Sequence, residues 1–219
     1  MTKNEPKFNF SAAIFDMDGT IINNNQFHVD AFVLFGKLRN LEISETYFYQ
    51  KIIGRTNLQI MSELFSGISE IEADLLGEEK ESIYRNVYDS NIKEVDGLTA
   101  FLTQLQHQKI KLAIGTNGPS SNINWVLEKL KLQDFFNIRV NTEMNLPGKP
   151  NPAIFLKAAE LLNTKPENCL VFEDSNTGIK AAKAAGMKVA AILTTHKKEE
   201  LLPCDYYFNS FLEIDISKF

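Results

Sequence analysis

Four short apolar runs along the chain each stop abruptly at polar residues. Ala12 to Phe15 ends in Asp16-Met17-Asp18-Gly19, and Ile110 to Ile114 ends in Gly115-Thr116-Asn117-Gly118. Cys169 to Phe172 runs into Glu173-Asp174-Ser175, and Val189 to Leu193 into Thr194-Thr195. Three of these runs hold no polar residue and the fourth only Lys111, and short apolar runs without polar alternation are what strands covered on both faces require. Between them apolar residues recur at helical spacing: Trp125, Val126 and Leu130, then Ile154, Phe155, Ala158, Ala159 and Leu162, then Ile179, Ala182 and Ala185. Strand and helix in alternation predict an α/β fold, a Rossmann-like parallel sheet core with helices on both faces.

One stretch departs from the alternation. From about Asn24 to Lys93 the pattern is helical throughout, with charged faces around Glu70 to Glu81, and it predicts an inserted helical cap domain. Asp96-Gly97 then opens a helix through Leu98, Phe101, Leu102 and Leu105 that returns the chain to the sheet. The expected division is a catalytic core over residues 1-23 and 94-219 and a helical cap over residues 24-93.

Composition narrows the function classes. A chain of 219 residues with 44% hydrophobic and 23% charged residues can bury a core of ordinary size. Its net charge of -5 gives no overall attraction to a phosphate backbone or an anionic bilayer, so neither nucleic acid nor a membrane is an expected partner. No apolar run approaches the roughly 20 residues a membrane span needs, and the polar stretch from Met1 to Phe10 is no export signal. Cys169 and Cys204 form no paired motif, which fits a reducing cytoplasm. With no sustained heptad, a monomer is expected.

Candidate chemistry gathers where the strands stop. In open parallel sheets ligands bind outside the carboxyl ends of the strands, which brings Asp16, Asp18, Thr116, Asn117, Glu173 and Asp174 toward one crevice. Lys149, in Pro147-Gly148-Lys149-Pro150 before a helix, joins them. So many carboxylates need a cation, and oxygen donors without His or Cys favour Mg²⁺. Taken alone, Asp-x-Asp-Gly could be a calcium loop, but an EF-hand needs a preceding helix and a Glu at position twelve, where this chain has Phe27. Gly118-Pro119-Ser120-Ser121 reads as a helix start, whose free N–H groups can also receive phosphate. Chemically, Asp16 suits a nucleophile toward a phosphoryl group and Asp18 an acid and base. Thr116, Lys149 and the N–H groups near Asn117 and Gly118 suit the transferring oxygens.

These motifs together resemble the haloacid dehalogenase superfamily, in the branch with a helical cap after the first strand. Asp16-Met17-Asp18-Gly19-Thr20 is similar to its first motif, Thr116 to the second, Lys149 to the third and Glu173-Asp174 to the fourth. The resemblance implies Mg²⁺ held by the Asp16 side chain, the Asp18 backbone carbonyl and Asp174, with Glu173 as a further ligand. Asp18 argues against dehalogenation and for phosphoryl transfer. Within the branch the nearest likenesses are β-phosphoglucomutase and small sugar-phosphate phosphatases. His28, Arg55 and Lys80 resemble cap residues that bind a sugar or a second phosphate, although each of the last two also reads plainly as a solvated helix charge. Gly118 and Pro119 depart from the mutase pattern, which has a serine and a lysine there. Hydrolysis of a small phosphorylated metabolite therefore ranks first, mutase activity second, and a phosphoacceptor signalling module, which has similar acids on a similar sheet, third.

Overall fold

The computed structural model describes residues 9–216. Residues 1–8 and 217–219, which hold most of the polar N-terminal stretch and the last positions of the expected core, lie outside the described residues.

Six parallel strands form one sheet in the order β3-β2-β1-β4-β5-β6. β1 (Ala12–Phe15) lies at the centre, with Phe15 level with Ile114 of β2 (Lys111–Gly115) and with Phe172 of β4 (Cys169–Glu173). β5 (Lys188–Ile192) continues one side of the sheet. β3 (Ile138–Val140) and β6 (Tyr206–Phe208) close its two edges. The sequence pattern yields four of these strands. The two edge strands have three residues each and stay partly exposed, so neither produces the apolar run that marks a buried strand.

Adjacent residues on β1 serve opposite faces, and residues two apart the same face, as a pleated strand requires. Ala13 and Phe15 join a core in which Phe15 stacks on Phe172 at 4.6 Å, with Phe101 and Phe211 beside them. This face is covered by α5 (Leu98–His107) and α6 (Ser120–Leu130). Ala12 and Ile14 join the other core, under α7 (Ala153–Leu161) and α8 (Asn176–Ala184). Burial on both faces is the reason the strand carries no polar alternation.

Between β1 and α5 the described chain is helical: α1 (Asn25–Leu38), the short α2 (Glu45–Tyr47), a π-helical turn over Phe48–Ile52, α3 (Asn57–Leu64) and α4 (Glu70–Tyr88). This insert has an apolar cluster of its own, including Phe32, Phe35, Phe48, Ile60 and Met61. Both α3 and α4 start in a capping box, Thr56 with Gln59 and Ser69 with Glu72, which satisfies the N–H groups a helix start leaves open. The inner face of α4 turns toward the sheet, where Tyr84 and Tyr88 belong to the Phe15 core. The two chain segments that join insert to sheet lie side by side: Ile22 and Glu94 form an antiparallel bridge, and Val95 N–H donates to the Ile21 carbonyl at 2.9 Å. Among the described residues no helix is long and apolar enough to cross a membrane.

Candidate active site

β1 and β4 are the strands from which the chain proceeds to opposite sides of the sheet, β2 and β3 one way, β5 and β6 the other. Such a reversal opens a crevice at the carboxyl ends of the two strands. Asp16 follows β1 directly, Glu173 ends β4, and Asp174 comes next. All three are buried, and one carboxylate oxygen from each lies within 4.8 Å of the others. Lys149 Nζ reaches into the group, 2.5 Å from Asp16 Oδ1 and 2.8 Å from Glu173 Oε1.

The electrostatics follow from burial. Desolvation raises the Asp16 carboxyl to about 7; Lys149 opposes that rise, while Glu173 and Asp18 add to it. Desolvation also raises Asp174 well above the usual carboxylate range, with Glu173 and Asp16 adding to the effect. For Lys149, burial favours the neutral amine, but Asp16 and Glu173 outweigh it and hold its proton above the ordinary lysine range. Three clustered acids against one lysine leave an excess of negative charge. A set of oxygen donors with that excess fits a hard divalent cation such as Mg²⁺.

The individual acids are not equivalent. Glu173 Oε1 accepts from Lys149, and its Oε2 accepts from the N–H groups of Asp174 and Ser175 and from the Ser175 hydroxyl. Its carboxylate sits so close to α8 that a Cβ on Gly178 would lie 1.6 Å from Oε1. Asp174 Oδ2 accepts from the Thr195 hydroxyl, which in turn accepts from Asn25 Nδ2 at the start of α1. Gly19 completes the turn after β1 with φ at +77°, and a Cβ there would lie 2.1 Å from Asp174 Oδ2. The side chain of Asp18 stands apart from this cluster. Its Oδ1 accepts from Asn24 Nδ2 at 2.5 Å and lies 3.5 Å from His28 Nε2. Asn24 is itself anchored, donating to the Tyr84 hydroxyl at 2.7 Å and accepting from Gly19 N–H. The His28 ring stacks flat on Tyr84 at 3.9 Å.

Thr116 is buried past β2. Two of the N–H groups expected to be free beside it are engaged within the protein: Gly118 N–H donates to Thr116 Oγ1 at 3.0 Å, and Ser120 N–H, at the start of α6, donates to Glu143 Oε2. Asn117 has a positioning geometry, its Oδ1 accepting from Lys149 N–H at 2.9 Å.

Over these groups the insert supplies the far wall of the pocket. Arg55 lines it, but its guanidinium donates to the Lys51 and Gln59 carbonyls and pairs with Glu63 at 2.7 Å. Lys80 is not a solvated helix charge, since it is only 2% exposed. Its ammonium pairs with Glu81 and sits 4.7 Å over the Phe32 ring. Burial would raise Glu81, but Lys80, His28 and the hydrogen bonds from Lys80 and Asn57 prevail and hold it at about 2. Glu81 also crosses to the sheet domain, where Oε2 accepts from Asn122 Nδ2 at 2.8 Å. Arg85 donates to the other end of the same amide, Asn122 Oδ1, at 2.8 Å.

Glu81, Asn57, Asn122, Asn24 and Thr195 are not apparent as site residues in the sequence. They come from five separate elements or loops, and none lies in a local pattern that marks chemistry. Glu81 reads as one more charge on an acidic helix, and Asn122 as part of a helix start.

Residues 13–192 match the family model described as haloacid dehalogenase-like hydrolase. The chain is 31% identical to a phosphorylated carbohydrates phosphatase of Thermotoga maritima, over 81% of this chain and 82% of that one. Among solved structures, a family IA, variant 3 hydrolase from Entamoeba histolytica superposes with a TM-score of 0.86 at 30% identity, covering 95% of this chain and 97% of that one. The β-phosphoglucomutase of Clostridium difficile gives 0.81 at 25% identity, covering 94% of this chain and 93% of that one.

Proposed function

The chain belongs to the haloacid dehalogenase-like hydrolases and, within them, to the hydrolases of phosphoric monoesters; from that membership we propose a cytoplasmic Mg²⁺-dependent phosphatase of small sugar phosphates that works through an aspartyl phosphate on Asp16. The observation that carries the reading is the placement of Asp16 at the end of the central strand, its Oδ1 on Lys149, with Asp18 held separately by Asn24. Two carboxylates two residues apart thereby acquire different surroundings and can take different roles.

Asp16 attacks the phosphorus of the ester, and the bond to the leaving alcohol breaks. Asp18, anchored by Asn24 and facing His28, gives its proton to the departing oxygen. Asp18 then takes a proton from water, which attacks the phosphorus, releases inorganic phosphate and restores Asp16. Thr116 and Lys149 hold the transferring oxygens, and Asn117 fixes the backbone that carries Lys149. Asp16 and Asp174 would hold Mg²⁺ with the Asp18 backbone carbonyl, and the ion would supply charge neutralisation between carboxylate and phosphate. Glu173 accepts four hydrogen bonds already, which suits it to anchoring Lys149 and the turn at Asp174 more than to direct ligation.

Closure of the insert as a cap excludes bulk water from the first step. Mutase activity is the second reading, supported by the likeness to the Clostridium difficile enzyme. Against it stand Gly118 and Pro119, which offer no cation, and the Arg55 guanidinium, which Glu63 and two carbonyls occupy. The test is ³¹P NMR with Mg²⁺ and a pool of hexose phosphates. Hydrolysis is expected to raise the inorganic phosphate signal, and Asp16→Asn to lower that rate by at least about 10³-fold. Isomerised ester at constant total ester, or Asp16→Asn with near wild-type release, overturns the reading.

A further inference from the structure

Phe32, Phe48, Ile52 and Ile60 give the far wall of the pocket an apolar surface; besides His28 and Arg55 it carries one buried polar cluster. That cluster is Lys80 and Glu81 with the two amides that fix Glu81: Asn57 Nδ2 at 2.7 Å from Oε1 and Asn122 Nδ2 at 2.8 Å from Oε2. Lys80 is 2% and Glu81 3% exposed, so neither is a rim charge, and both line the pocket. Fully buried charges are retained at a cost unless paired and hydrogen-bonded, and here both conditions are met. The approach of α3 to α4 is specific to this arrangement: a Cβ on Gly77, one turn before Glu81, would lie 2.9 Å from the Cβ of Asn57.

We propose that the Lys80–Glu81 pair, held by Asn57 and Asn122, is the specificity element for the leaving group: it reads hydroxyls of an uncharged polyhydroxylated skeleton and excludes a second phosphate. This inference rests on the phosphatase reading and adds the substrate class to it.

The charge balance supports it. A single lysine on an apolar wall would attract a distal phosphate, but Glu81 cancels its charge within the same buried site. Arg55, the other cation of the insert's pocket wall, is engaged by Glu63 and by carbonyls of its own segment. A second phosphate would face the Glu81 carboxylate in a site of low dielectric, where like charges in contact are strongly unfavourable. A sugar or polyol meets donors on Lys80 and acceptors on Glu81 instead, with the apolar wall against its carbon face. Hydroxyl recognition by buried paired groups discriminates strongly, because a ligand lacking the hydroxyls leaves those groups without partners.

The test measures binding separately from turnover. Calorimetry in the presence of Mg²⁺ compares glucose 6-phosphate with glucose 1,6-bisphosphate on the Asp16→Asn protein. The same pair is then titrated into Asp16→Asn/Glu81→Gln and Asp16→Asn/Lys80→Met. The monophosphate is expected to bind at least about tenfold tighter than the bisphosphate in the first protein. Glu81→Gln is expected to shift that ratio about tenfold or more toward the bisphosphate, and Lys80→Met to weaken the monophosphate. Equal affinity for both esters in the Asp16→Asn protein, or folded variants that move the ratio less than twofold, overturns the proposal. If Glu81→Gln fails to melt cooperatively, the starting ratio and Lys80→Met decide. Turnover of the wild-type protein reports independently on the phosphatase reading: absence of phosphate release would sink that reading while leaving the affinity ratio measurable.

Discussion

Glu81 is the residue at which burial and charge are most finely opposed. Removing its carboxylate from water disfavours the charge, yet Lys80, His28 and two hydrogen bonds bring its carboxyl down to about 2. The linkage has a definite sign: an acid whose folded value lies below its unfolded value contributes stability above the unfolded value and loses it as pH falls through the folded one. The charged and titratable groups around it are Lys80 on its own helix, His28 on α1 and Tyr84 one turn on. The stability gap between wild type and Glu81→Gln is therefore expected to be full above about pH 5, of the order of a few kcal/mol, and to close as pH falls toward about 2. Urea unfolding of both proteins across that range measures it, and a gap independent of pH would refute the assignment. At this scale the acids at the strand ends are legible in the sequence because apolar runs stop at them. Glu81 is not, because its charge is stabilised by Asn57 and Asn122, 24 residues before it and 41 after it.

Elements show a different division between local and tertiary causes. α4 has low apolar content and would be marginal alone, but it starts in the Ser69–Glu72 capping box and turns Tyr84 and Tyr88 inward. Ser69→Ala removes the cap without touching the pocket, and is expected to cost about 1 kcal/mol in a thermal or urea melt with phosphate-ester KM unchanged. A loss of affinity larger than the loss of stability would mean that the start of α4 reaches the site. The strands β1, β2, β4 and β5 were legible because each is buried on both faces and strongly apolar. β3 and β6 were not, since a three-residue edge strand is fixed by its neighbour's ladder rather than by its own sequence. The charged appearance of residues 70–81 misrepresents α4: Ile71 and Leu75 face solvent while Lys80 and Glu81 are buried.

Across the whole molecule, the most buried polar tie between the insert and the sheet is the amide of Asn122, bonded at one end to Glu81 and at the other to Arg85; Ser121 with Arg85 and Glu78, and Asn25 with Thr195, add to it. Asn122→Ala leaves a buried carboxylate oxygen and a guanidinium without those partners, a change expected to cost about 1–3 kcal/mol. Hydrogen exchange is expected to rise at the amides of residues 120–123 and in the facing turns of α4; unchanged exchange there would place the closing contacts elsewhere. The bridge between Ile22 and Glu94 bears on how the two bodies move. Both crossings of the chain are tied to each other there, so a swing of the insert about that pair is the motion expected of the linkage rather than a slide along the sheet. Leverage is then graded along the insert. Asn24 and Asn25 follow the paired Ile22 by two and three residues, so the contacts they make with Asp18 and Thr195 are expected to persist through such a swing. Gly54, past α1 and the π-helical turn, meets the sheet from the other side of the pocket: its carbonyl accepts from Asn117 Nδ2, and a Cβ on it would lie 3.2 Å from Thr177 Oγ1. An opening of the insert is thus expected to part the contacts of Gly54 before it disturbs the contact of Asn24 with Asp18.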